Sequence, residues 1–448
     1  MYESRSLILP DTKEELVRAV ARLEDVPEEE KDWHPGSNQQ VLDLVHPSLY
    51  CIRLDKTLFR KDPFHSDVVK RLTWKKYTAL RADLSSDSLD GWPGPHQWLP
   101  TDFVVSGAGV VTPQGYINNL HPVRHSAAYR PLTSILARFV PLFEKVLTDS
   151  LNYEPSYAVE VDAYRWYEHV WQLEPSWTAR SSDELYEQQR AEWDRKHRWP
   201  AIPDPAPFQP PPPREPYSLR GRTIQVIVKL ANIVLTPDRP QYPGGTWHVE
   251  GMVNERIVAT GLYYYACENI TESRLAFRTR VGNGDGLGRD FPYEQNDDKG
   301  CRVAYGLAEH RALNQPLGHV VAAEDKCVAF PNMFQHRVEP FELADPTKPG
   351  HRKILCFFLV DPEARVLSTR DVPPQQVEWA LDELARAPAM QKLPVELFDM
   401  IASYVRDAGF WSRQEAEEQR AELMKERSSR ADYLKESVYE MDFNLCEH

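Results

Sequence analysis

In GGTWHVEGMVNERIVATGLYYYACEN, Gly244 to Asn269, a histidine and a glutamate stand one residue apart, His248 and Glu250. Both can bind metals. In an extended strand residues i and i+2 point to the same face, so one ion can take both side chains. A third ligand must come from elsewhere, and FPNMFQHRVEPFEL supplies His336 on another strand-like segment, 86 residues after Glu250. Two histidines and a carboxylate on one face of an octahedral ion leave three positions open, the arrangement of a non-haem Fe(II) that activates oxygen. Arg352 lies 16 residues beyond His336 in PGHRKILCFFLV, after a turn, on what should be the neighbouring antiparallel strand. A planar guanidinium there would hold a carboxylate by paired hydrogen bonds. Inside KILCFF it would be costly without such a partner.

A His-x-acid pair alone says little. The chain holds a second, His65-Ser-Asp67, beside Pro63 and with no strand series behind it; it reads as a decoy. The first pair gains meaning from its surroundings. Segments 222–237, 256–266, 319–332, 335–343 and 351–362 are rich in β-branched and aromatic residues and are separated by PGG, GNGDGLG and DPTKPG turns. Short strands punctuated in this way, without intervening helices, predict a sandwich or barrel. Alternation puts Leu262, Tyr264 and Ala266 on one face of their strand, and Tyr263 and Tyr265 on the other.

Other segments must frame those strands. Residues 1–198 read as a mainly helical casing, with apolar residues at helical spacing in DTKEELVRAVARLEDV and RPLTSILARFVPLFEKVLTDSLN. Residues 199–217 hold nine prolines and read as an extended linker. Residues 218–374 would form the β core and 375–448 a C-terminal helical segment. The glycine- and aspartate-rich stretch Val281 to Arg302 is a candidate lid.

In this order on strands, His248-x-Glu250, His336 and Arg352 resemble the Fe(II)/2-oxoglutarate-dependent dioxygenases, over roughly residues 222–362. The block HVEGMVNERIVATGLYYY is similar to the prolyl-hydroxylase type, although that pattern more often has Asp where this chain has Glu250. The resemblance implies an α+β fold whose core is a double-stranded β-helix (jelly-roll, cupin-like) flanked by N- and C-terminal helices. It also implies Fe(II) on His248, Glu250 and His336, and 2-oxoglutarate anchored by Arg352 and Tyr264. The chemistry it implies uses O2, converting 2-oxoglutarate to succinate while a prime substrate is hydroxylated or otherwise oxidised. Across most of its length the chain also resembles a large, mainly fungal and bacterial family known only as a domain of unknown function.

Charge and composition narrow the partners. A net charge of −14 over 448 residues disfavours nucleic acid and anionic membrane, both of which need a basic surface. No apolar run reaches the roughly 18 residues of a membrane span. The N-terminus has no signal-like apolar core, and the six cysteines are scattered without a Cys-x-x-Cys pair, so a cytoplasmic protein with reduced thiols is expected. A small molecule is the expected prime substrate, with a protein side chain as the alternative. Two rivals stand beside the oxygenase: a cupin-like site for another metal, and an inert barrel serving as an interaction scaffold.

Overall fold

Strands form where β-branched and ring side chains crowd the chain, because these pack well on a pleated surface. A computed structural model of the protein describes every residue except 63–65, 82–93, 152–161, 179–181, 205–206, 208–212, 282–290 and 446–448; at 61, 62 and 66–68 it describes the backbone alone. The order begins with β1 (Tyr2–Ser4), α1 (Pro10–Glu24), β2 (Val41–Val45), β3 (Ile52–Arg53), β4 (Leu58–Asp62) and β5 (Ser66–Arg71). Then come α2 (Trp74–Leu80), β6 (His96–Gln97), β7 (Thr101–Val105), β8 (Val111–Pro113), α3 (Ser126–Leu151) and α4 (Asp183–Lys196). The β-rich half runs β9 (Thr223–Leu235), β10 (Gln241–Tyr242), β11 (Ile257–Glu268), β12 (Ser273–Arg280), α5 (Asp298–Tyr305) and β13 (Asn314–Ala322). It continues with β14 (Cys327–Pro331), β15 (Gln335–Val338), β16 (Phe341–Glu342) and β17 (Gly350–Val360). Helices α6 (Val377–Arg386), α7 (Val395–Asp407) and α8 (Arg413–Leu434) follow.

The chain divides into two compact units, one of residues 1–152, 215–276 and 319–430, the other of 153–214, 277–318 and 431–448. The first is built on an antiparallel sheet ordered β1-β14-β11-β17-β9-β7-β8, with β2 also paired to β9. The architecture is mixed α/β with antiparallel sheets, and among the described residues the sheets do not close into a barrel. Residues 1–198, expected as helical casing, also contribute strands: β2 and β7 pair with opposite ends of β9. VLDLV and TDFVV are five residues long and largely buried, too short for a helical and a strand period to be told apart.

The two faces of this sheet do different work. Tyr263 and Tyr265 of β11, Leu355 and Phe357 of β17, and Val226 and Val228 of β9 pack with Phe139 and Phe143 of α3. The opposite face is set by register: Lys229 lies beside Cys356 and Leu262, and Ala231 beside Ile354 and Tyr264. Ile233 and Leu235 on β9 pack there against Phe341 and Leu343, so the small β10–β16 sheet covers the inner face. Ala266 departs from simple alternation. A bulge between Tyr264 and Ala266 shifts the register, and Ala266 packs with the α3 side.

In the second unit Asp297 accepts hydrogen bonds from Trp166 Nε1, the Tyr167 hydroxyl and the Gly300 amide. The last of these caps α5, so the end of the stretch expected as a lid is helical. Its centre, 282–290, lies outside the described residues, as does His65 of the decoy pair. Described residues of the proline-rich segment form neither helix nor strand. Among the described residues no helix is long and apolar enough to cross a membrane. Cys51, Cys267, Cys301, Cys327 and Cys356 are free thiols.

Gly261 shows how closely α3 seats on the sheet. A Cβ there would lie 2.7 Å from Phe139 Cδ1 and 2.9 Å from Phe143 Cζ. Gly261→Val should cost about 1–3 kcal/mol of unfolding free energy in chemical denaturation, the usual scale of overpacking. Unchanged stability would mean that the helix does not rest on β11 as described.

Candidate metal centre

The sequence suggests a regular strand at His248, but the structure builds something shorter. His248 and His336 form an isolated antiparallel bridge in which each backbone N–H donates to the other's carbonyl, at 3.2 and 2.9 Å. On the Glu250 side the ladder goes no further, because the Glu250 amide donates to Asn332 Oδ1 at 2.9 Å instead. Asn332 Nδ2 in turn donates to the carbonyls of Glu250 and Ile257, at 2.8 and 3.0 Å. Gly244 and Gly251, with φ of +91° and +73°, bound the segment in a conformation that favours glycine. Asn332, which its sequence position marks only as a neighbour of the pocket, thus pins the backbone of a candidate ligand.

An antiparallel bridge presents its two side chains on one face, and the His248 and His336 ring centroids lie 4.5 Å apart. Glu250 Oε1 lies 3.3 Å from His336 Nε2 and 3.7 Å from His248 Nε2. Ligand atoms of all three residues fall within 4.8 Å of one another. Adjacent donors on an octahedral ion with bonds of ~2.1 Å sit about 3 Å apart, so a small contraction would close the site on a metal. His248 Nδ1 lies 2.8 Å from the Thr246 carbonyl, which fixes the proton on Nδ1 and leaves the Nε2 lone pair for a metal. The predicted ligands therefore converge.

The electrostatics suit the same role. Burial alone would push the Glu250 carboxyl up, yet hydrogen bonds from His248 and His336 hold it well below the usual carboxylate range. Burial and the neighbouring His248 lower His336. Burial also works against a charge on His248, but Glu250 overcomes it and raises that imidazole above its ordinary value. The His336 side chain is 5% exposed and that of His248 41%, so the cluster opens on the His248 side.

Arg352, on the inner face of β17, is 3% exposed. It donates to the Ser273 hydroxyl at 2.7 Å and lies over the Tyr264 and Phe341 rings, at 5.4 and 5.5 Å. Among the described residues no carboxylate comes within ion-pair distance of it, and its Nε has no hydrogen-bond partner. Burial pushes the Tyr264 hydroxyl up to about 12, with Arg352 acting against it. Burial also pushes the Cys356 thiol up to about 12, and Lys229, Glu250 and Arg352 act on it; by register Lys229, Cys356 and Arg352 share the inner face. Sequence reasoning passed over Lys229. A lone charge in the apolar run IQVIVKLANIV was the available signal.

A second group of ligand types, His34, Asp43 and His46, also lies within 4.8 Å. Here His46 Nδ1 accepts from the Ser48 amide at 3.2 Å, which puts the proton of the neutral ring on Nε2, the atom facing Asp43. That arrangement suits a hydrogen-bonded cluster better than a metal.

One family profile, described as "Protein of unknown function (DUF4246)", matches residues 1–383. No curated protein matches the chain. Among solved structures, IDO from Bacillus thuringiensis is similar at 8% identity over 31% of this chain and 46% of its own, with a TM-score of 0.19. A bsmA homolog from Methylobium petroleophilum PM1 is similar at 11% identity over 32% and 45%, with a TM-score of 0.18. The chain thus spans under half the length of either. TqaL, described as an Fe(II)/(alpha)ketoglutarate-dependent dioxygenase, is similar at 10% identity over 81% and 95%, with a TM-score of 0.25. All three scores are too low to assign this chain a fold or an activity.

Metal binding should depend on pH through His248. Glu250 is ionised and His336 neutral around neutrality, so His248 is the ligand that must lose a proton, and its raised pKa moves that loss upward. Anaerobic Co(II) titrations between pH 6 and 8 should show affinity rising with pH, by at most about tenfold per unit for one proton. Asn332→Leu should weaken Co(II) binding by about 10–100-fold, the scale seen when groups that orient metal ligands are lost. A flat pH profile together with unchanged binding by the variant would contradict the assignment.

Proposed function

The chain belongs to the DUF4246 family, and from its site residues we propose that it is an Fe(II)- and 2-oxoglutarate-dependent oxygenase. His248, Glu250 and His336 would hold the iron, which when bound supplies the redox chemistry that couples O2 and 2-oxoglutarate to oxidation of a C–H bond. In that reaction 2-oxoglutarate becomes succinate and CO2, and the prime substrate gains a hydroxyl or a related oxidation.

Arg352 carries this reading. A buried guanidinium whose described hydrogen bond goes to one hydroxyl has donors to spare, and a carboxylate would satisfy them in paired fashion. Arg352 and Glu250 both act electrostatically on the Cys356 thiol, which is compatible with a co-substrate held at one end by metal and at the other by arginine. Tyr264, one register step away across the bulge, would present its hydroxyl to the same carboxylate. The finer fold reading, a double-stranded β-helix, is supported by the two layers of sheet packed across the inner face. Phe330, fully buried and 5.0 Å from the His336 ring, would keep water from the inner side of the centre. A small-molecule substrate is favoured by the enclosed setting of these groups; hydroxylation of a protein side chain uses the same residues.

Anaerobic addition of Fe(II) and 2-oxoglutarate should give a weak visible charge-transfer band, and admitting air should yield succinate. Arg352→Met should abolish the band at moderate 2-oxoglutarate while keeping Co(II) affinity; His336→Ala should lose both. Metal binding without 2-oxoglutarate binding would favour the cupin-like alternative. Absence of both would leave the inert scaffold.

A further inference from the structure

A cavity of about 1040 Å³ adjoins the candidate centre. Gly245 and Thr246 line it, and the Thr246 carbonyl is the one that fixes His248. Tyr242 and Phe341, paired across β10 and β16, give it an aromatic wall, their ring centroids 5.3 Å apart. Arg352 lies over the same Phe341 ring, so this wall backs onto the proposed carboxylate anchor. Neither Arg352 nor any of the three candidate metal ligands is in the lining, so the cavity has room for a separate ligand.

His34 also lines it, and a buried charge holds its ring in place. Its Nδ1 lies 2.7 Å from Oδ2 of Asp43, whose side chain is fully buried. Burial opposes the Asp43 anion, but His46 and His34 hold its pKa at about 2. An ionised carboxylate only accepts, so Nδ1 carries the proton and the lone pair of the neutral ring is on Nε2. The backbone is fixed as well. The His34 amide donates to the Val41 carbonyl at 2.8 Å, and its own carbonyl accepts from the Ser37 amide and hydroxyl, at 3.1 and 2.7 Å. The side chain is 27% exposed; the ring edge turned away from Asp43 carries Nε2, and among the described residues nothing bonds to that atom. An imidazole oriented in this way, with its acceptor left open, is arranged to bind rather than only to pack.

An open acceptor selects a donor, and the remaining lining narrows the class. Among the described residues it holds no lysine or arginine, and its one acid, Glu342, already accepts from Gln241 Nε2 at 3.0 Å. An anion would find no cation there and would meet Asp43 behind the imidazole. An ammonium would lie against a wall backed by Arg352 and is disfavoured in turn. We infer that the cavity binds a neutral, ring-bearing alcohol, its ring against Tyr242 and Phe341 and its hydroxyl donating to His34 Nε2. That such a molecule is the prime substrate rests on the oxygenase reading; its binding does not.

Ligand-observed NMR on the full-length chain tests this with probes that share one ring: benzyl alcohol, toluene, benzylamine and benzoate. Benzyl alcohol should bind about three- to tenfold more tightly than toluene, the worth of one hydrogen bond, and more tightly than either charged probe. His34→Phe should abolish the preference for the alcohol over toluene while leaving Co(II) affinity unchanged. Gly245→Leu should weaken every probe, because a Cβ at Gly245 meets nothing closer than 3.8 Å and leucine has room to project into the cavity. Loading with Co(II) in place of Zn(II) should speed relaxation of the bound probe, as a paramagnetic ion beside the cavity must. Equal binding of alcohol and toluene, benzoate binding as tight as the alcohol, indifference to His34→Phe, or binding by none of the probes would overturn the proposal. Alcohol-selective binding with no faster relaxation in a chain loaded with Co(II) would place the probe elsewhere and overturn it too. Should His34→Phe fail to fold, Gly245→Leu and the order of the probes decide. Alcohol-selective binding that Gly245→Leu weakens, in a chain that takes up no Co(II), would sink the oxygenase reading and leave this site standing.

Discussion

Strand alternation across β9, β17 and β11 is the constraint on which the site depends. Adjacent side chains on these strands go to opposite environments. Leu355 and Phe357 join α3 in a dry core, while Ile354 and Cys356, alternating with them, turn to the opposite face. A one-residue slip would drive Lys229 and Arg352 into the aromatic core and bring Phe357 onto the metal side. Packing of α3 therefore does more than stabilise the sheet. By penalising every other register it fixes which residues can face the ligands, and it does so from the side that takes no part in chemistry.

How far the sequence discloses this depends on the length of the signal. All five strand-like segments after residue 222 are strands, because runs of β-branched and aromatic residues are long there. β12 escaped notice, since the apolar run in SRLAFRTR is only three residues long and is flanked by arginines, with no alternation to read. The short β2 and β7 were hidden for a related reason: five residues buried on both faces have no period to read. The bulge after Tyr264 left no mark in composition, so Ala266 was placed on the wrong face while Tyr264 was not.

Within the site, legibility follows chain distance and chemical type. His248 and Glu250 are visible because two ligand types share a strand spacing, and His336 because one histidine stands in an apolar segment. Lys229 and Asp43 belong to segments nearly two hundred residues apart, and only the pairing of β2 with β9 makes them neighbours. The role of Asn332 is likewise tertiary. An asparagine after a strand reads as turn chemistry, yet its amide serves as a substitute partner where the backbone ladder at Glu250 stops.

The C-terminal helices pose a different question, because the family match ends at residue 383 and α8 lies beyond it. Its buried residues are few, Ala416, Arg420 and Leu423, so apolar packing alone explains little of its docking. Charge explains more. Arg427 lies 2.5 Å from Glu255 and stacks over the Trp98 indole at 3.6 Å, and Arg420 holds Asp32 at 2.7 Å. Glu255 is fully buried and also accepts the Trp98 and Met252 amides, at 2.6 and 2.7 Å. An ion pair of this kind adds little net stability, since desolvation offsets most of the attraction. Its consequence is positional: with Arg427 in place, Glu255 can stay buried and bind the turn that leads from Glu250 into β11. A helix outside the family match thereby helps to set the backbone that carries two of the three candidate ligands.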